Sequence, residues 1–265
     1  MTVGAPLISI DRVQKHYRTQ SGAPLHVLDG VSFDVRDNEF LSILGPSGCG
    51  KSTLLRILDG LTPYDGGSIA IDGQSVSGPG PDRAVVFQNF ALLPWSSVLD
   101  NVAFPLEGRG VKSAERKERA RAALDRVGLS DFEEHYPRTL SGGMQQRVGL
   151  ARALVVNPRI LLMDEPFGAL DALTRTFLQD ELLKIWSRDR KTVVFVTHAI
   201  DEAVYLSDRV VIMSPRPGQV LEIVDVSIDR ERAAEVRDTP EFNELVAHMR
   251  HVLRGVVHPE EAGLA

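Results

Sequence analysis

Phe40-Leu41-Ser42-Ile43-Leu44 is a short β-rich run that gives way to Gly45-Pro46-Ser47-Gly48-Cys49-Gly50-Lys51-Ser52-Thr53 and restarts as the apolar stretch Leu54-Leu55-Arg56-Ile57-Leu58. The order is strand, glycine-rich turn, helix. The turn fits G-x-x-x-x-G-K-[ST] at every required position. Gly45, Gly48 and Gly50 let the backbone curl so that successive N–H groups face a phosphate chain, and the helix adds its unpaired N-terminal donors and positive dipole end. Lys51 is placed to neutralise terminal phosphates, the Ser52 hydroxyl to bind the Mg²⁺ that bridges them, and Thr53 to add a secondary polar contact. An ordinary glycine-rich turn between strand and helix demands no such match. The starting expectation is therefore a nucleoside triphosphate held with Mg²⁺.

At 265 residues, 43% of them hydrophobic, the chain can fill a large core. Its 30 Lys+Arg against 36 Asp+Glu give a formal charge of -6, which argues against a protein that holds nucleic acid through its phosphates. No apolar run approaches the ~18 residues needed to cross a bilayer, and Met1 to Ile10 lacks the features of a secretory signal, so a soluble intracellular chain is expected. A lone cysteine, Cys49, excludes an internal disulfide and a cysteine-rich metal site. It fills an undemanding position in the loop. Near a helix N-terminus its thiol is expected to react readily with alkylating agents, and more slowly with Mg-nucleotide present.

Before the loop, Leu7-Ile8-Ser9-Ile10, Val27-Leu28 and Val31-Ser32-Phe33-Asp34-Val35 read as short strands of an antiparallel sheet separated by turn signals. Tyr17 follows the first of these strands, where its ring could stack on a purine or simply be a loop tyrosine. Gly60 and Pro63 end the first helix, Asp72-Gly73 predicts a hairpin after Ser68-Ile69-Ala70-Ile71, and Ala84-Val85-Val86-Phe87 is a buried strand closing on Gln88. From Asn89 to about Val156, past the apolar loop Leu92-Leu93-Pro94-Trp95, the periodicity is helical, as in an inserted lobe. Within it Ser113 is expected to cap a helix running to Gly128, with Glu115 and Arg119 on a solvated face.

Ser141 reads as the N-cap of a helix whose apolar positions are Met144, Val148, Ala151 and Leu154. Ser141-Gly142-Gly143 could present bare donors to an anion; as physics alone, a plain cap is the favoured reading. Arg159 to Met163 is a continuous apolar strand ending in Asp164-Glu165, where Asp164 could hold the Mg²⁺ shell and Glu165 orient and deprotonate water, although such a pair could also cap the next turn. A helix after Asp171 carries the stripe Leu178, Leu182, Ile185 and Trp186. His198 stands beyond the buried strand Thr192 to Thr197, within possible reach of a γ-phosphate, where a lone histidine is more often structural. Arg209 to Met213 and Val220 to Ile223 complete the strands, joined through Pro215-Arg216-Pro217-Gly218, and a last helix begins at Thr239 as cap and Pro240, with Phe242, Leu245, Val246, Met249, Val252 and Leu253 at helical spacing.

Together these residues resemble the ATP-binding subunit of an ATP-binding-cassette (ABC) transporter, over residues 7 to about 225. The resemblance implies an α/β fold: a P-loop NTPase, RecA-like core with an N-terminal antiparallel β subdomain and an inserted α-helical subdomain. It makes 1–265 a single ATPase domain, with core 1–88 and 157–225, lobe 89–156 and a short C-terminal helical extension 226–265. It gives Tyr17 the adenine-stacking role, Gly45 to Thr53 the phosphate loop, Gln88 the γ-phosphate and Mg²⁺ sensor, Asp164 the metal-linked carboxylate, Glu165 the catalytic base, Asp171 a link across a dimer and His198 the switch histidine. Ser141-Gly142-Gly143 becomes the signature that completes the ATP site of a second copy. Two anion-seeking helix starts in one chain would thus serve different ATP molecules in a head-to-tail dimer.

Two departures stand out: Met144 where the family often has Gln, and Gly168 where it often has Ser. The stretches Phe87 to Trp95, Val98 to Val102 and Glu165 to Asp171 resemble the nitrate, sulfonate and taurine branch of bacterial importers, as does the lack of a C-terminal regulatory domain. The implied partners are a second copy, polytopic permease subunits docking near Leu92 to Leu99, and indirectly an extracytoplasmic solute-binding protein. The implied location is peripheral, on the cytoplasmic face of the inner membrane. A soluble nucleotide-driven clamp on DNA or ribosomes shares these motifs but usually joins two cassettes or inserts a coiled coil. A P-loop kinase would need an acceptor site, and the signature with Gln88 and His198 argues against it.

Overall fold

The structure, a computed structural model, describes residues 5–19, 22–168, 170–229 and 234–257; Ala169 and the last eight residues of the expected C-terminal extension lie outside that set. In chain order the elements are β1 (Ile8–Arg18), β2 (Pro24–Val35), β3 (Phe40–Leu44), α1 (Lys51–Asp59), β4 (Gly66–Ile71), β5 (Gln74–Ser75) and β6 (Arg83–Val86). There follow α2 (Val98–Ala103), α3 (Ser113–Arg126), α4 (Gly142–Leu154), β7 (Ile160–Asp164), α5 (Ala172–Arg188), β8 (Thr192–Thr197), α6 (Ile200–Leu206), β9 (Arg209–Met213), β10 (Val220–Asp225) and α7 (Pro240–Val257). The chain divides into two compact units, Met1–Gly80 with Lys191–Ala265, and Pro81–Arg190.

The first unit holds an antiparallel sheet in the order β2-β1-β4-β5 and a second sheet segment in the order β10-β9-β3-β8. Where the sequence reads as two short strands parted by Asp29-Gly30, the structure has the single strand β2. Gly30, at φ +70, is absorbed as an irregularity, and the pairing slips between Lys15↔Leu28 and Val13↔Val31. β1 is long enough to pair with both halves, so the extra residues kink the ladder instead of ending it. For the same reason Tyr17 lies inside β1, opposite Leu25, and not in a loop after it. The Asp72-Gly73 hairpin forms as expected, with both residues at positive φ (+51 and +74) and Ile71 paired to Gln74, as a two-residue turn requires.

β3 pairs in parallel with β8 and β9, and every residue of all three is buried, which explains their unbroken apolar character. The entry to β3 is anchored: Arg209 pairs with the buried Glu39 at 3.0 Å, and the Asp208 carboxylate accepts the Phe40 N–H at 2.9 Å. α1 buries Leu54, Leu55, Ile57 and Leu58, and it ends at Gly60, left-handed at φ +84. α7 is capped by the Thr239 hydroxyl and buries Phe242, Val246 and Met249.

In the second unit β6 and β7 pair in parallel, from Arg83↔Ile160 to Val86↔Met163. β6 stops at Val86; Ala84 and Val85 are only half-buried and Phe87 is exposed, so this strand is less enclosed than its sequence suggests. Between these strands the described residues are helical or irregular, with α2, α3 and α4 sharing a core of Val98, Val102, Ala120, Leu124, Val148 and Ala151. α3 corrects one expectation: Ser113 is its first helical residue and Lys112 its cap, with no side-chain capping bond. Glu115 and Arg119 pair on its exposed face as expected. α5 buries Leu178, Leu182, Ile185 and Trp186. No helix among the described residues is long and apolar enough to cross a membrane.

Candidate functional site

The residues singled out by sequence fall into two groups, one in each unit. In the first, the loop from Gly45 curls around its own lysine: Lys51, 4% exposed, donates from Nζ to Gly45 O (2.8 Å) and Pro46 O (3.1 Å). Gly50 turns the chain into α1 at φ +111, and a Cβ there would lie 2.7 Å from Leu28 Cδ2 and 3.1 Å from Val27 O, so only glycine fits. No side chain caps α1, whose cap residue is Gly50 itself. Ser47 and Gly48 are exposed, and Ser52 and Thr53 half-buried. An uncapped helix start beside an open glycine turn and a positive charge suits a phosphate chain.

Two features of this loop were not legible in sequence. Cys49 is 1% exposed, with Gly45 packed against its Sγ, so ready alkylation is not expected of it; the turn that leaves Ser47 and Gly48 exposed folds this side chain inward. Gly218, which reads only as turn chemistry, supports the loop. A Cβ at Gly218 would stand 2.3 Å from Cys49 O, and its N–H donates to Val27 O at 2.9 Å. Nothing local in Pro-Arg-Pro-Gly signals that approach.

Tyr17 is 41% exposed on β1, with Lys15 Nζ 5.2 Å from its ring centroid. Lys15 is in turn held by Asp65 at 3.1 Å. The Asp65 carboxyl lies below the usual carboxylate range, chiefly because it accepts the His16 N–H, with Lys15 adding to this. His198 is exposed just past β8. Thr197 Oγ1 donates to the buried Glu202 (2.5 Å) and accepts the Ala199 N–H (3.0 Å), which fixes the turn carrying the imidazole.

In the second unit β7 ends at Asp164, buried, and Glu165 follows at φ +44, a left-handed conformation that costs a non-glycine residue about 1–2 kcal/mol. A Cβ on Gly168 would stand 3.8 Å from Glu165 Oε2 and 3.6 Å from Gln88 Nε2, so the carboxylate and the amide face one small space that Gly168 leaves open. The starts of α4 and α5 also lie side by side. Gly142 abuts Leu170, and a Cβ on Gly143 would stand 2.7 Å from Thr174 Cγ2. Ser141 caps α4 by accepting the Met144 N–H (3.3 Å), and Asp171 caps α5 by accepting the Thr174 N–H (3.0 Å), a bond that holds its exposed carboxyl below the usual range. Ser141-Gly142-Gly143 and Asp171, some 30 residues apart in sequence, thus share one surface.

The expected partner-docking stretch is built around a residue that sequence reasoning passed over. Asn101, fully buried, donates to Leu93 O, Ser96 O and Ser97 O and accepts the Leu93 N–H, pinning the loop that carries Trp95, 74% exposed. A groove of about 450 Å³ opens beside it, lined among others by Phe87, Leu93, Phe104 and Arg152. Asn101→Ala strands these buried backbone groups, and a loss of about 2–4 kcal/mol in unfolding free energy is expected by denaturant titration.

The family model described as ABC transporter matches residues 28–168. An uncharacterised ABC transporter ATP-binding protein of Methanocaldococcus jannaschii is 52% identical over 237 residues, 89% of this chain and 88% of that one. The taurine import ATP-binding protein TauB of Rhizobium johnstonii is 47% identical over 260 residues, 96% and 98% of the two chains. Among solved structures, the dimeric post-hydrolysis state of an ATP-binding cassette bound to ADP and Pi superposes with a TM-score of 0.74 at 34% identity, covering 84% of this chain and all of that one. The chain is an ATP-binding cassette and belongs to the ABC transporter family. Its fold is that of the P-loop NTPases, with the antiparallel β subdomain and helical insertion expected from the sequence.

Proposed function

We propose that this chain is the ATP-hydrolysing subunit of an importer, in which two copies close head to tail on two ATP molecules and drive permease subunits that take up a small sulfonate of the taurine type. The observation that carries the import reading is the near full-length match to proteins named for taurine import. In this reading the loop N–H groups and Lys51 grip the triphosphate and Tyr17 stacks on the base. Ser52 of the first unit, and Gln88 and Asp164 of the second, would hold Mg²⁺. Among the described residues no cluster of three or more His, Cys, Asp or Glu could hold a metal alone. A hydroxyl, an amide oxygen and one carboxylate suit a hard cation that arrives with the phosphates. Mg²⁺, when bound, supplies charge against the negative charge that develops during phosphoryl transfer.

Glu165 takes the proton of the attacking water, and Gln88, facing the same space, orients it. His198 contacts the terminal phosphate, while Ser141-Gly142-Gly143 and Asp171 face the second copy. The Trp95 loop and the groove beside it receive the permease, which keeps the chain peripheral on the cytoplasmic face of the membrane.

Lys51→Ala removes a charge-assisted contact worth about 1.5–3 kcal/mol, so ATP affinity is expected to fall about 10- to 100-fold in a nucleotide titration. Undiminished affinity would take the loop out of phosphate binding. Import is tested by co-expression with candidate permease subunits. The chain should stay in the membrane fraction only when they are present, and ATP-dependent uptake should favour labelled taurine over nitrate. Uptake of nitrate alone would overturn the sulfonate assignment.

A further inference from the structure

Two successive residues beyond Gln88, Phe90 (φ +54) and Ala91 (φ +47), lie in the left-handed region. Neither is glycine, asparagine or aspartate, and such residues hold this conformation only where their surroundings impose it. The loop's own hydrogen bonds are local. Phe90 N–H donates to Phe87 O (3.1 Å), and Ala91 N–H donates to Asn89 O in a γ-turn about Phe90, the strained form when φ is positive. Farther along, Asn101 holds Leu93 and Ser96; what holds the strained pair itself from outside is Arg152 of α4, which donates from Nη2 to Phe90 O and from Nη1 to Ala91 O, both at 2.6 Å. Gly149 of the same helix lies against Phe90 O. Burial pushes the Arg152 guanidinium down from its ordinary value without removing its charge, so both bonds are charge-assisted in a partly dry setting.

We propose that Arg152 is a positioning residue for ATP hydrolysis: its fork across the Phe90 and Ala91 carbonyls holds the loop that starts at Gln88 in its strained form and so ties the Gln88 amide to the helix that begins at Ser141. The proposal rests on the reading of Gln88 given above. Arg152 and Ala91 also line the groove beside the Trp95 loop, so the fork sits where an occupant of that groove would touch it.

Hydrogen exchange on the full-length chain, followed in peptides covering residues 88–96, reads the clamp without any nucleotide. Arg152→Ala is expected to speed exchange at Phe90 and Ala91 about tenfold or more, while Leu93, held by Asn101, stays protected. With the membrane partner present, the Mg²⁺ concentration for half-maximal hydrolysis should rise several-fold, as in Gln88→Ala, while nucleotide affinity stays unchanged. Lost packing alone would not move Mg²⁺ dependence. Arg152→Lys, which keeps stem and charge but cannot bridge two carbonyls in a fork, should be intermediate and covers the case in which the alanine variant fails to fold. Ala91→Gly on the Arg152→Ala background should give back part of both effects, because glycine takes positive φ without strain.

Unchanged exchange in folded Arg152→Ala overturns the proposal. Faster exchange with unmoved Mg²⁺ dependence overturns the link to Gln88, provided that Gln88→Ala does move it. If Gln88→Ala moves nothing either, the reading of Gln88 fails and the role of Arg152 in hydrolysis fails with it.

Discussion

Glu165→Gln is expected to bind ATP normally, to hydrolyse it about 10²–10⁴-fold more slowly, and to accumulate as an ATP-bound dimer. The amide is isosteric with the carboxylate, so the small space beside Gly168 and the position of the Gln88 amide are kept. On the reading of Glu165 given above, what is lost is the acceptor for the proton of the attacking water. The backbone sharpens the argument: at φ +44 the fold holds Glu165 in a conformation that costs a non-glycine residue, as is found where a side chain must be aimed. The substituted chain inherits that strain, so a fall in turnover could not be traced to a relaxed backbone. Turnover near wild type would remove Glu165 as the base. Monomeric behaviour with ATP, read by size-exclusion chromatography, would weaken the dimer.

Features legible in sequence are those whose chemistry is local. The glycine turn that leads into α1, the Asp72-Gly73 hairpin and the caps at Ser141 and Thr239 each need only a few consecutive residues, and each appears where expected. Features that depend on a distant partner were not legible. β2 reads as two pieces because the decision to continue through Gly30 is made by β1, which pairs with both halves. Cys49 is backed by Gly218, some 170 residues along the chain, through an approach measured by the missing Cβ of that glycine. Asn101 and Arg152 read as ordinary polar helix positions, yet their partners are loop carbonyls whose placement only the folded chain defines. The cap of α3 fails for a different reason: Lys112 and Ser113 are neighbours, and capping preference alone does not resolve one residue.

Ser141→Arg is expected to leave ATP binding by the single chain intact while lowering hydrolysis on the order of 10²-fold or more, because it places a long cation where a short hydroxyl and the open donors of α4 should meet the second copy's nucleotide. The geometry isolates the effect. Ser141 is exposed, and its hydroxyl accepts the Met144 N–H at 3.3 Å, so the substitution removes one cap, at about 1 kcal/mol, and crowds no core. Mixing with Lys51→Ala subunits provides the decisive measurement. On the head-to-tail reading, in which the phosphate loop of one copy works with the signature of its partner, one composite site of each mixed dimer carries both defects and the other carries neither. Partial recovery of hydrolysis on mixing means that the intact site fires alone. No recovery, with mixed dimers present, means that both sites must close together. A Ser141→Arg chain that hydrolyses ATP normally with its membrane partner present would end the head-to-tail reading, since the surface shared by Ser141 and Asp171 would then have no second nucleotide to face.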